Sequence, residues 1–133
     1  KIRKILNGKD VCFLSYGNII RKAFKASESL KKINISSSIY SCSTLKPFDI
    51  SRLKSIMKKY KLIIIIEDHS IIGGLNEIVK SNAYEFKYEG QIISFALKDK
   101  FLNNYGSQED LLNTHGLSDN EIISKITKKI EKW

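Results

Sequence analysis

Four apolar runs of strand length recur along the chain. They cover residues 11–15, 35–42, 62–67 and 92–97. The run at residues 62–66 is continuously apolar rather than alternating, which indicates a strand buried on both faces, as in a parallel sheet between helices. Ile2, Ile5 and Leu6 predict a short leading strand, and Asn7-Gly8 is a favourable turn after it.

Segments with apolar residues at helical spacing separate these strands. The periodic segments begin after Gly17, Asp49, Gly74, Ser107 and Ser118. Asp49 is a predicted N-cap, and Ser118 with Glu121 forms a capping box for the last helix. Residues 81–91 are polar and aromatic, so we predict a surface connection or a short hairpin there.

The alternation of strands and helices predicts the fold class. Strand followed by helix, repeated along the chain, is typical of a three-layer α/β domain with a mostly parallel, mixed sheet, here of about five strands. The 133 residues are enough for one core. We therefore expect residues 1–133 to form a single domain. Because the sequence begins with Lys1 rather than Met, we expect it to be a piece of a longer chain.

The net charge of +9 raises the question of a nucleic-acid partner. Only three of the basic residues are arginines, and the lysines are spread over most of the predicted helices. This distribution is typical of a solvated lysine-rich surface rather than of one binding face. We therefore predict no nucleic-acid partner.

The two cysteines and the hydropathy pattern limit the class of protein further. Cys12 and Cys42 lie within apolar runs and lack the spacing of a metal site, which predicts buried free thiols. Free thiols are typical of a reducing cytoplasm. No apolar run approaches the roughly 20 residues that a membrane span needs, and no signal peptide is recognisable. We expect a cytoplasmic protein with no membrane partner.

Polar side chains follow the most buried predicted strand, where ligands bind in open α/β sheets. The candidate site residues are Glu67, Asp68, His69, Ser70, Gly73 and Gly74. Two interpretations are open. Either His69 is a general acid or base beside an anion site at the Gly73-Gly74 helix start, or the acidic residues cap local amides and His69 lies at an interface. We favour the second, because the chain offers no further catalytic partners near this cluster.

Four segments, in the right order, resemble the C-terminal domain of transketolases. Residues 10–17 resemble its opening strand and turn, and residues 44–49, Thr-Leu-Lys-Pro-Phe-Asp, resemble its Thr-Leu-Lys-Pro-Leu-Asp element. Residues 65–75 are similar to its His-Ser-Ile-Ile-Gly-Gly-Leu element. Residues 106–117 are similar to its closing Gly-Ser and Tyr-Gly-Leu segment. The resemblance covers nearly the whole chain.

The resemblance implies a role in a larger enzyme. Family members use thiamine diphosphate and Mg²⁺ to transfer two-carbon ketol units between sugar phosphates. The cofactor and the metal are bound by upstream domains, on the same chain or on a separate subunit. The C-terminal domain carries no catalytic or metal-binding residue and supports packing and homodimer formation. The isolated domain would then be inactive.

Two alternatives remain open. The end of 1-deoxyxylulose-5-phosphate synthase is similar, including an element close to Gly106-Ser107-Gln108-Glu109. A stand-alone anion-binding or regulatory module of the same fold is the alternative from another functional class.

The sequence also departs from the family pattern. Ser41, Cys42 and Ser43 stand where the family has Asp-Leu-Arg, so an anion contact by that arginine is lost. Asn76 and His115 are further departures, in the glycine-rich element and the closing element. These differences indicate a diverged member of the family.

Overall fold

The computed structural model describes residues 1–17, 19–68, 74–97 and 119–131. The predicted helix after Ser107 and Ser118 of the predicted capping box lie outside these ranges. In chain order the elements are β1 (Ile2–Leu6), β2 (Val11–Tyr16), α1 (Ile20–Lys31), β3 (Ser37–Cys42), α2 (Ile50–Lys59), β4 (Leu62–Asp68), α3 (Leu75–Glu85), β5 (Gln91–Leu97) and α4 (Asp119–Ile130).

The strands form one five-stranded mixed sheet in the order β1-β3-β2-β4-β5. β2 is parallel to β3 and to β4, and β4 is parallel to β5, whereas β1 is antiparallel to β3. In the register of the sheet, Leu14 lies opposite Tyr40 on one side and Ile65 on the other. The predicted α/β class and mixed sheet are confirmed.

Helices cover both faces of the sheet, because successive side chains of a strand point to opposite faces. Phe13 and Ile64 pack towards α1 and α4, which contribute Leu30 and Ile126 among others. The opposite face packs against α2 and α3; its buried side chains include Leu14, Ile65, Leu53, Ile56 and Val79. The continuous isoleucine run of β4 is buried for this reason, as predicted.

The prediction of a loop or hairpin at residues 81–91 was wrong for its first half, since α3 continues to Glu85. The apolar stripe is sparse there, but Ala83 and Phe86 still pack on the core. The Asn82 side chain also donates a hydrogen bond to the Ile78 carbonyl at 2.8 Å. The polar residues occupy the outer side of a helix rather than a connection.

The predicted N-cap at Asp49 is confirmed. Its Oδ1 accepts a hydrogen bond from the amide of Arg52 at 3.2 Å, and its Oδ2 accepts one from the amide of Ile2 at 3.3 Å. These two amides hold the pKa of the Asp49 carboxyl below its usual value. One side chain thus begins α2 and fixes the start of β1. None of the described helices is both long and apolar enough to cross a bilayer.

Candidate functional site at the carboxyl end of β4

Glu67 lies near the end of β4, between Tyr16 of β2 and Ala96 of β5 in the register of the sheet. Its side chain is only 4% exposed. A buried carboxylate needs hydrogen-bond donors, because removal from water strongly disfavours an unpaired charge. Its partners therefore decide what this residue does.

The Glu67 carboxylate binds the first turn of α3. Oε1 accepts a hydrogen bond from the amide of Leu75 at 2.7 Å, and Oε2 accepts one from the amide of Asn76 at 2.6 Å. Helix N-termini attract anions, because their amides are unpaired and the helix dipole is positive there. For these two amides, the anion is the chain's own carboxylate. The structure thus supports the capping interpretation of Glu67.

Neighbouring polar side chains connect β2 to β4 and β5 to α3. Ser15 Oγ of β2 donates a hydrogen bond to the main-chain carbonyl of Ile66 at 2.9 Å. Ser94 Oγ of β5 makes a short hydrogen bond to the side-chain oxygen of Asn76. The Asn76–Ser94 contact could not be predicted, because it joins a residue of α3 to a residue of β5, 18 positions apart in sequence.

Of the other predicted site residues, Gly74 is described as the buried N-cap of α3 with an extended main chain. The main chain of Asp68 ends β4 opposite Leu97. His69, Ser70 and Gly73 lie outside the described residues. Their role at an interface or beside a substrate therefore stays a prediction.

The predicted buried thiols are confirmed. Cys12 and Cys42 are both free and buried. Burial raises the pKa of Cys12 well above its ordinary value and that of Cys42 to about 12. Both sulfurs are therefore neutral near pH 7, whereas nucleophilic chemistry needs a thiolate. Within the described ranges, no three or more His, Cys, Asp or Glu side chains group together as a metal site would require.

Comparison with known proteins gives a consistent result. The sequence matches the family described as transketolase, C-terminal domain, over residues 1–122. It is 32% identical to a transketolase C-terminal section from Methanocaldococcus jannaschii, over 96% of this chain and 39% of the relative. It is 35% identical to a 1-deoxy-D-xylulose-5-phosphate synthase from Clostridium beijerinckii, over 92% of this chain and 20% of the relative.

Solved structures show the same fold. A split-gene transketolase, determined as an inactive tetramer of four β subunits, superposes with a TM-score of 0.80 at 25% identity. That match covers 98% of this chain and 41% of the other. Transketolase from Campylobacter jejuni superposes with a TM-score of 0.63 at 14% identity, over 96% of this chain and 18% of the other. The chain thus spans less than half of each of these relatives.

Proposed function

The chain belongs to the transketolase C-terminal domain family, and on this premise we propose that it is the non-catalytic C-terminal domain of a larger thiamine-diphosphate-dependent enzyme. The parent enzyme would transfer two-carbon ketol units between sugar phosphates. The observation that carries the proposal is the family match over residues 1–122, together with relatives of which this chain spans only a fraction.

The local chemistry supports a structural role. Both oxygens of Glu67, the buried carboxylate at the carboxyl edge, already accept main-chain hydrogen bonds from α3. Ser15 and Ser94 are likewise engaged in contacts between elements of the fold. These groups hold the end of β4 and the start of α3 in place. They thereby provide a rigid surface at the carboxyl ends of the strands against which other domains can pack.

Thiamine diphosphate supplies the carbanion chemistry when it is bound. We assign the cofactor and Mg²⁺ to the upstream domains, as the resemblance to the family implies. We therefore derive no catalytic step from this chain. Its contribution is to pack against the upstream domains and to support a homodimer of the parent enzyme.

The upstream domains are the proposed partners, on the same chain or on a second subunit. The split-gene relative supports the second arrangement, because its gene is split and its tetramer of four β subunits is inactive. The loop from Glu67 to Gly74 is the proposed contact region. His69 is the residue that we expect to lie nearest to the interface.

The first experiment is a gentle purification of the tagged protein from its own host, followed by mass spectrometry and a ketol-transfer assay of the purified material. We expect a longer tagged chain, or a second subunit with a thiamine-diphosphate site, together with ketol-transfer activity. A chain of only 133 residues that purifies alone and without activity would contradict the proposal. It would favour the stand-alone binding module.

The same material distinguishes the two enzyme classes. Ketol transfer between sugar phosphates supports the transketolase function, whereas formation of 1-deoxyxylulose 5-phosphate supports the synthase function. The relatives include both classes.

The substitution His69→Ala tests the interface. We expect it to leave thiamine binding by the complex intact and to weaken assembly, as measured by the concentration dependence of sedimentation. Normal assembly with abolished turnover would instead assign a catalytic role to His69.

A further inference from the structure

A groove of about 660 Å³ opens at the amino ends of β4 and β5. Glu67 lies at the opposite, carboxyl end of β4. The walls of the groove come from the end of α2 with the α2–β4 connection, and from the α3–β5 connection. We call it the lysine groove. Its basic lining residues are Lys54, Lys58, Lys59, Lys61 and Lys87.

The charges of the lysine groove are strongly unbalanced. Glu89 is the one carboxylate among its lining residues, so five lysines against one glutamate leave a formal charge of +4. Considering only the residues that the structure describes, none of the five ammonium groups forms an ion pair. Like charges gathered in a concave site raise the local concentration of anions. The groove is therefore complementary to a compact, multiply charged anion.

The two connections that form the groove are held together firmly. The Tyr88 hydroxyl donates a hydrogen bond to the Tyr60 carbonyl at 2.7 Å, and the amide of Gln91 donates one to the Lys61 carbonyl at 2.8 Å. Gly90 makes this close approach possible, because a Cβ atom there would lie 2.3 Å from the Tyr88 ring. The groove is thus formed before any ligand binds, which lowers the entropic cost of binding.

Aromatic rings position two of the ammonium groups. Lys54 Nζ lies 5.4 Å from the centre of the Phe86 ring, and Lys59 Nζ lies 5.4 Å from that of Tyr60. These cation–π contacts restrict the two side chains without neutralising their charge. The ammonium groups remain able to bind an anion.

Lys87 occupies a main-chain position where glycine is usual. It follows the C-cap of α3 with φ of +54°, in the left-handed region. Its amide donates to the Tyr84 carbonyl, and the next amide, of Tyr88, donates to the Ala83 carbonyl, which completes the helix end. A lysine is strained in this conformation and glycine is not. Its presence there is explained if its ammonium group binds a ligand in the groove.

We propose that the lysine groove binds a small molecule that carries two or more phosphoryl groups. Such a molecule brings three or four negative charges into a compact volume and so matches the lining charge. The volume lies in the range of small-molecule sites, which is roughly 300–1,000 Å³. The groove is separate from the interface proposed above, because it lies at the opposite end of the strands.

The test is calorimetric titration of the full chain, with any subunit that purifies with it, at fixed ionic strength. The probes are inorganic triphosphate and ATP, with adenosine as the uncharged comparison. The variant Lys58→Gln/Lys61→Gln removes two exposed groove lysines. Its matched control, Lys31→Gln/Lys32→Gln, removes two exposed lysines at the end of α1, which packs on the other face of the sheet.

We expect both phosphorylated probes to bind and the groove variant to weaken binding at least about tenfold, with less than about twofold change in the control. A second variant, Lys87→Gly, is expected to bind several-fold more weakly while its thermal unfolding midpoint rises. Equal weakening in the groove and control variants would overturn the proposal. So would the absence of millimolar binding by both phosphorylated probes, or adenosine binding as tightly as ATP.

Discussion

The amide of Leu75 donates a hydrogen bond to the side chain of Glu67 at 2.7 Å, so a residue of the central part of the sheet begins the helix that follows it. Only eight positions of sequence separate the two residues. The second oxygen of the same carboxylate binds the next amide, of Asn76. The end of β4 and the start of α3 therefore form one mechanical unit.

The substitution Glu67→Gln is expected to destabilise the fold by about 2–3 kcal/mol. The amide side chain keeps one acceptor, but its NH₂ group is directed at a main-chain donor, and the charge that strengthens both bonds is lost. The measurement is urea unfolding, with an unchanged slope against denaturant.

The matched control is Glu77→Gln, which removes an exposed carboxylate from the same first turn of α3. Only the interaction with the helix dipole is lost there, so we expect a loss below about 1 kcal/mol. Equal losses in the two variants would contradict the assignment of Glu67 as the buried cap.

The substitution Gly8→Ala is expected to destabilise the fold by at least about 3 kcal/mol. A Cβ atom at Gly8 would lie 2.3 Å from the carbonyl oxygen of Ser37, which is main chain and cannot move aside alone. The same glycine exchanges two hydrogen bonds of 2.8 Å with the Ser38 hydroxyl. Thermal and urea unfolding of the purified variant measure the loss.

Gly17→Ala is the comparison for Gly8→Ala. Gly17 has φ of +90°, but a Cβ atom there meets nothing within 4 Å. Main-chain strain alone gives an expected loss of about 1–2 kcal/mol. A larger loss at Gly17 than at Gly8 would show that steric contact with β3 is not the dominant effect.

The substitution Tyr88→Phe is expected to destabilise the fold by about 1–2 kcal/mol, because it removes the hydroxyl that donates a hydrogen bond to the Tyr60 carbonyl. Tyr84→Phe is the control, since Tyr84 is 85% exposed and its hydroxyl is solvated. We expect no measurable change in its free energy of unfolding. Indistinguishable variants would show that the Tyr88 hydrogen bond contributes nothing net.

The stability difference between the native sequence and Cys42→Ala is expected to depend on pH. In the fold the pKa of Cys42 is raised to about 12, so its thiol stays protonated at pH 10, whereas the unfolded thiol ionises near its ordinary value of 9.0. Raising the pH from 8 to 10 therefore stabilises only the unfolded state of the cysteine-containing protein. The free energy of unfolding of the native sequence, relative to that of Cys42→Ala, should therefore fall by about 1.4 kcal/mol between pH 8 and pH 10.

The measurement is the free energy of unfolding of both proteins in urea at pH 8 and at pH 10. Groups that do not interact with Cys42 cancel in the difference, and burial, the largest cause of the raised pKa of Cys12, is common to both proteins. A difference that does not change with pH would show that Cys42 ionises as readily in the fold as in the unfolded chain.

The parts of the fold that follow from local rules could be predicted from the sequence. The isoleucine run of β4 is apolar at every position because both faces are covered, and that pattern is visible without coordinates. Asp49 caps α2 through an amide three residues away, which is also a local relationship. Residues 81–85 were assigned wrongly because their helix is stabilised by packing of Ala83 rather than by a strong apolar stripe.

The groups at the two ends of the strands show why the site could be predicted only in part. Whether Glu67 is a base or a cap depends on which amides lie within hydrogen-bond distance of it, and sequence order alone does not give that distance. The lysine groove joins residues as distant in sequence as Lys54 and Lys87. Parallel pairing of β4 with β5 brings their connections together, so a count of lysines per helix indicated only a diffuse surface.

The two layers of helices also differ in when they can form during synthesis. The described residues that cover the α2 and α3 face end with Ile92, whereas the opposite face is completed by Ile122 and Ile126 of α4. Because a chain emerges from the ribosome N-terminus first, the α2 and α3 face can pack before α4 packs on Phe95 at the other face. A product terminated before residue 119 would lack Ile122 and Ile126, so the packing that these two side chains give to the Phe95 face would be missing.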